Sequence, residues 1–126
     1  FGVAQGGTLV VRPNGEGGSE VELQEVVRDL RAAEGLEPPF LLHFPDIVAH
    51  RACCLREAFR AACTTFGYPG EHCAVFPVKS KHSRPTLQHL LRADAGVGLE
   101  VGTRAELVLA MALLEPGGGR LLVCNG

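Results

Sequence analysis

From Phe40 onward, short apolar runs alternate with longer stretches in which apolar residues recur every three or four positions. That is the pattern of strands alternating with amphipathic helices. Phe40 to Phe44 is a compact apolar strand, and Asp46 can cap a long helix whose Val48, Ala52, Leu55, Phe59, Ala62 and Phe66 share one face. Cys73 to Val78 is a second strand, followed by a helix from Pro85 to about Ala93 with Leu87, Leu90 and Leu91 inward. Val97 to Val101 is a third. Thr103 and Glu106 then form a capping box ahead of a helix carrying Leu107, Val108, Met111 and Leu114. Leu121 to Cys124 is the fourth strand.

Strand starts at 40, 73, 97 and 121 lie 33, 24 and 24 residues apart, close to the ~30 of a βαβ unit. Apolar strands alternating with helices predict an α/β fold with a parallel sheet covered on both faces. Two architectures satisfy this, the (β/α)8 TIM barrel and the open doubly wound sheet. Four units cannot close a barrel of ~250 residues. The chain opens at Phe1 without an initiator Met, and its last apolar run stops at Gly126, so it reads as a fragment.

The first 39 residues are patterned differently. Thr8 to Val11 is a short β-rich run closed by Arg12-Pro13-Asn14-Gly15 and the Gly17-Gly18 pair. Ser19 and Glu22 have capping-box spacing before a helix carrying Leu23, Val26, Val27 and Leu30 on one face, and Glu37-Pro38-Pro39 ends it.

Composition narrows the function. The 126 residues are 46% hydrophobic and 21% charged, which suits one folded domain. A net charge of -2 leaves no basic excess for a phosphate backbone, which argues against nucleic acid as a partner. The longest apolar run, Leu107 to Leu114, has eight residues, where a membrane-spanning helix needs ~20. Five cysteines without a C-x-x-C pair fit free thiols in a reducing compartment, and no histidine spacing suggests zinc.

In either architecture chemistry belongs at the C-terminal ends of the strands, which selects Phe44-Pro45-Asp46, Lys79 to His82, Glu100 to Thr103, and Asn125-Gly126. Lys79 stands out there, because the chain has ten Arg and two Lys, and this one ends an apolar strand. A Lys amine in a partly desolvated pocket can attack a carbonyl, which Arg cannot. A lysine leaving a strand for solvent would look the same. Lys81 is read as a loop residue. Glu100, on the next strand end, could pair with Lys79 or be an exposed charge, and Glu106 has a structural role in its capping box. Gly96-Val97-Gly98 lacks the third glycine of a dinucleotide fingerprint, and Gly117-Gly118-Gly119 precedes a strand, as a linker turn would.

Four separated motifs then fall in register: Phe44-Pro45-Asp46, Phe76-Pro77-Val78-Lys79, Leu99 to Leu107, and Leu122-Val123-Cys124-Asn125-Gly126. Together they resemble the biosynthetic arginine decarboxylases, particularly the plant-type ones, over nearly the whole chain. The resemblance implies the N-terminal part of an alanine-racemase-like (β/α)8 TIM barrel over 19–126, and a β segment over 1–18 that belongs to a separate β domain. It implies pyridoxal 5'-phosphate bound covalently by Lys79, with Glu100 and Glu106 as acidic site residues, and Mg2+ as a further ion. It implies decarboxylation of L-arginine to agmatine in polyamine biosynthesis, by a homo-oligomer with its active site at the subunit interface, in cytoplasm or plastid. Departures from the family pattern are Phe76 for tyrosine, His43 for arginine, the mild changes Val101, Thr103 and Arg104, and the run Ser80-Lys81-His82. That run keeps open a catalytically silent regulatory homologue, and absent substrate-reading residues keep open a related ornithine or diaminopimelate decarboxylase.

Overall fold

The computed structural model describes residues 1–39 and 41–126, which divide into two compact units, 1–47 and 48–126. Both α and β elements are present, with one antiparallel and one parallel sheet of three strands each.

In the first unit, β1 (Gly2–Val3), β2 (Leu9–Val11) and β3 (Val21–Glu22) form the antiparallel sheet in chain order. The turn expected after β2 is present. The Gly15 N–H donates to the Arg12 carbonyl at 3.2 Å, with Gly15 and Gly17 at φ of 82° and 87°. That left-handed region costs glycine little. Val10 and Val11 are buried. Helix α1 (Leu23–Glu34) keeps Leu23, Val26, Val27 and Leu30 half-buried on one face, and Gly35 closes it with a left-handed φ of 64°.

Its start differs from the expected capping box. Val21 and Glu22 pair with Val11 and Val10, so the helix begins one residue past Glu22 with no side-chain cap. Strand pairing has taken the backbone that a Ser19 cap would need. Residues 41–44 are likewise not a strand, while Phe40 lies outside the described residues. A short apolar run becomes a strand by pairing, and 41–44 have no ladder partner among the described residues.

Helix α2 (Pro45–Phe66) begins on its proline, which puts Asp46 in the first turn and not at the cap. Proline has no N–H to lose there, and an acidic first turn complements the helix dipole. In the second unit Val48 and Ala52 pack on the core, but Leu55, Phe59 and Phe66 are exposed, contrary to a continuous inward stripe. The cause is length: 22 residues of helix extend about 33 Å, whereas a strand of three or four residues covers only about 10–13 Å.

Strands β4 (Val75–Pro77), β5 (Gly98–Val101) and β6 (Leu122–Cys124) form the parallel sheet in chain order. Helices α3 (Arg84–Ala93) and α4 (Arg104–Leu113) are the crossovers. The core is Val78, Leu87, Leu90, Leu91, Val97, Leu99, Val101 and Ala110, so the expected inward face of α3 is the observed one. Helix α4 buries Glu106 and Ala110 and packs Leu107 and Leu114 against the core, while Val108 and Met111 are exposed. Residues 106, 110 and 113 share one helical face, and 108 and 111 lie opposite. Arg120 closes the C-terminal end of α3 by donating to the carbonyls of Leu91, Asp94 and Val97 at 2.5, 2.8 and 2.9 Å. Buried Asp94 pairs with Arg56 and accepts the Gly96 N–H at 2.8 Å.

A glycine sets the spacing at the start of β5. A Cβ on Gly98 would lie 2.3 Å from the Leu121 carbonyl oxygen, so a side chain there forces β5 and β6 apart. The Gly117-Gly119 turn behaves as a linker, with φ of 75° and 69° at its two outer glycines. Among the described residues no helix is long and apolar enough to cross a membrane.

Candidate active site

The parallel register decides which side chains meet. Pro77 is level with Glu100, and Val101 with Cys124. Lys79 therefore lies two residues past the strand end on β4, in a 3-10 turn (Val78–Ser80), and Asn125 lies one residue past β6. All three strand exits open on the same end of the sheet, because the strands are parallel.

Val78 anchors the turn in the core with no exposure, and Lys79 leaves it with a side chain 66% exposed. Its Nζ is 3.9 Å from Glu100 Oε1, and the Glu100 side chain is 15% exposed. The same oxygen accepts a hydrogen bond from Asn125 Nδ2 at 3.1 Å. Glu100 thus faces the amine from the neighbouring strand, held by a third residue. Lys81 follows the turn, its N–H donating to the Val78 carbonyl at 3.0 Å, in the loop where it was expected.

Glu106 occupies the next position along this edge. Thr103 Oγ1 accepts the Glu106 N–H at 3.2 Å, half of the expected capping box. The returning half is displaced by one residue: Glu106 Oε2 accepts from the Gly102 N–H at 2.8 Å, not from Thr103. Its other oxygen, Oε1, lies 3.8 Å from His82 Nε2. The Gly102 N–H holds the Glu106 carboxyl below its ordinary value of 4.5, against the opposing cost of burial. The Thr103 side chain and the charge of His82 add smaller contributions in the same direction.

Lys79, Glu100 and Glu106 therefore lie along one edge, the first two in contact and the third tied to the loop between β5 and α4. Sequence reasoning selected the Asn125 corner from topology alone and gave it no role. Counting parallel register from Val101 and Cys124 is the signal that places its amide on Glu100. His82 was noted for departing from a pattern, without a partner. Among the described residues no three His, Cys, Asp or Glu side chains converge as a metal ligand set, so no residue is assigned to Mg2+.

No family model matches the chain. Curated relatives do. The chain is 42% identical over 127 residues to "Biosynthetic arginine decarboxylase" of Xylella fastidiosa (strain 9a5c), 36% over 127 to that of Chromobacterium violaceum, and 37% over 128 to that of Synechococcus sp. (strain RCC307). Each alignment takes in 100% of this chain and 20% of the relative. From end to end the chain is similar to about a fifth of the length of these proteins, each named biosynthetic arginine decarboxylase.

Proposed function

We infer that the protein carrying this chain decarboxylates L-arginine to agmatine and CO2, using pyridoxal 5'-phosphate held on Lys79, as a step of polyamine biosynthesis. The observation that carries this reading is the placement of Lys79. A primary amine stands on a turn at the C-terminal end of a parallel strand, solvent-accessible, 3.9 Å from a carboxylate on the next strand. These residues fit the cofactor, since its aldehyde requires an accessible amine and a neighbouring acid-base group.

Bound pyridoxal phosphate supplies the electron sink for the pair left behind when a carboxylate departs as CO2. The chain's own residues bind and orient. Lys79 Nζ would hold the cofactor. Glu100 Oε1 would keep the Lys79 side chain oriented beforehand. Asn125 restrains the rotamer of Glu100, and Glu106 fixes the Gly102 backbone at the exit of β5.

The same reading assigns residues 19–126 to the first part of a (β/α)8 barrel and 1–18 to a β segment of a separate domain, in a homo-oligomer with shared sites. The chain-order pairing of β4, β5 and β6 supports it, because consecutive parallel strands are neighbours in a barrel.

The test is Lys79→Arg in the full-length protein. It preserves the charge but has no primary amine, so borohydride should trap no pyridoxal phosphate on it, and release of CO2 from labelled arginine should stop. Wild-type protein that traps the cofactor on another lysine would overturn the site. Wild-type protein that traps it on Lys79 but releases no CO2 from arginine would overturn the substrate.

A further inference from the structure

Two acid-base pairs tie the segment after β4 to its surroundings, and the reading above uses one of them. Lys79 reaches Glu100 on β5, and three residues on, His82 Nε2 lies 3.8 Å from Glu106 Oε1 on α4. We propose that His82 is a positioning residue: as an imidazolium it holds the Lys79-bearing turn against the start of α4, aligning the amine for the cofactor aldehyde. The inference rests on the role of Lys79 given under the proposed function.

The distance decides the kind of force. At 3.8 Å the contact exceeds a hydrogen bond, so it attracts only when both groups are charged. The imidazole carries a charge only when protonated, so the tether engages at lower pH and is released at higher. Glu106 is a fixed partner. It is 7% exposed, its Oε2 is occupied by the Gly102 N–H, and Oε1 is the oxygen turned to His82. Its carboxyl is held below the ordinary range, chiefly by that N–H.

The turn has reason to need a tether. The side chains of Lys79 and His82 are 66% and 67% exposed, while the nearest buried anchors are Val78 before them and Thr86 and Leu87 of α3 after them. Other charged groups on the surrounding elements are Lys79 on the turn, Lys81 just past it, Arg84 at the start of α3, Glu100 on β5 and Arg104 on α4. The cations oppose a charge on His82, and Glu106 is the carboxylate in ion-pair range of it.

The experiment is amide hydrogen exchange of the peptide covering residues 79–84 in the full-length apoprotein, at about pH 5.5 and about pH 8.5, across the range in which histidine side chains change charge. After correction for intrinsic exchange, wild type should be about two- to fivefold more protected at the lower pH, the range that such ion pairs give. His82→Gln and Glu106→Gln should each remove that difference, the double variant should remove no more, and His82→Lys should keep protection at both pH values. Equal protection in wild type at both pH values, or a difference that persists in His82→Gln, overturns the tether. The rate at which borohydride-trappable pyridoxal phosphate appears on Lys79 should lose the same pH-dependent increment in His82→Gln, and an increment unchanged by that substitution overturns the positioning role. Wild-type protein that shows the protection pattern but traps no pyridoxal phosphate would refute the functional reading and leave the tether supported.

Discussion

Asn125 Nδ2 donates to Glu100 Oε1 at 3.1 Å, and that oxygen is the one facing the Lys79 amine at 3.9 Å. One carboxylate oxygen thus links residues from the ends of three successive parallel strands. A carboxylate held by a neighbouring amide presents its charge in one place, whereas a free one samples several rotamers. Asn125→Ala in the full-length protein should therefore slow attachment of pyridoxal phosphate to Lys79 by about two- to tenfold, the loss of roughly one hydrogen bond. Stopped-flow absorbance of the apoprotein with added cofactor measures it, and an unchanged rate would remove Asn125 from the site.

Lys81 is the internal control for Lys79. It lies just past the turn, two residues from Lys79, and its backbone N–H closes that turn on Val78. Lys81→Arg should leave the trapped cofactor on the peptide containing Lys79 at wild-type stoichiometry. A loss of label matching that of Lys79→Arg would show that the two lysines had been assigned in the wrong order.

Glu106 predicts an acid limb in stability. Its folded carboxyl pKa lies below the ordinary 4.5, led by the Gly102 hydrogen bond. A depressed acid stabilises the fold fully above its unfolded value and loses that contribution as pH falls through the folded one. The urea midpoint of the full-length protein should exceed that of Glu106→Gln near neutral pH, and the gap should close below about pH 4.5. Parallel curves throughout the acid range would rule this out.

Gly98→Ala tests packing without touching the site. The added Cβ would meet the Leu121 carbonyl oxygen, which accepts the Leu99 N–H at 2.9 Å in the first pairing of β5 with β6. Separating the strands there should destabilise by about 1–3 kcal/mol, a typical overpacking cost. Gly96→Ala is the comparison, since its nearest neighbour would be Asp94 Oδ1 at 3.4 Å. Equal losses from the two substitutions would refute the steric account.

Residues 1–126 by themselves should not unfold as a cooperative monomer. Strands β4 and β6 are the outer strands of their sheet, and Leu55, Phe59, Phe66, Val108 and Met111 present apolar surface to solvent. Unpaired edges and apolar patches favour association. A sharp, concentration-independent thermal transition of this chain at monomer mass would contradict the prediction.

The sequence by itself determined the features that are local. The inward face of α3 follows from the spacing of Leu87, Leu90 and Leu91. The start of α4 follows from Thr103 and Glu106, and the turns after β2 and before β6 follow from glycines that enter the left-handed region. Each depends on residues within a turn or two of one another, so periodicity and capping suffice. Tertiary structure decided the rest. Residues 41–44 have no ladder and are not a strand, whereas Val21 and Glu22 find one and displace the expected cap. Glu106 is buried and linked to Gly102, with Val108 and Met111 on the outer face of α4. Alignment of β4, β5 and β6 brings Lys79, Glu100 and Asn125 together from positions up to 46 residues apart. Strand pairing and its register are non-local, and that is why the residue types of the site were legible before its contacts were.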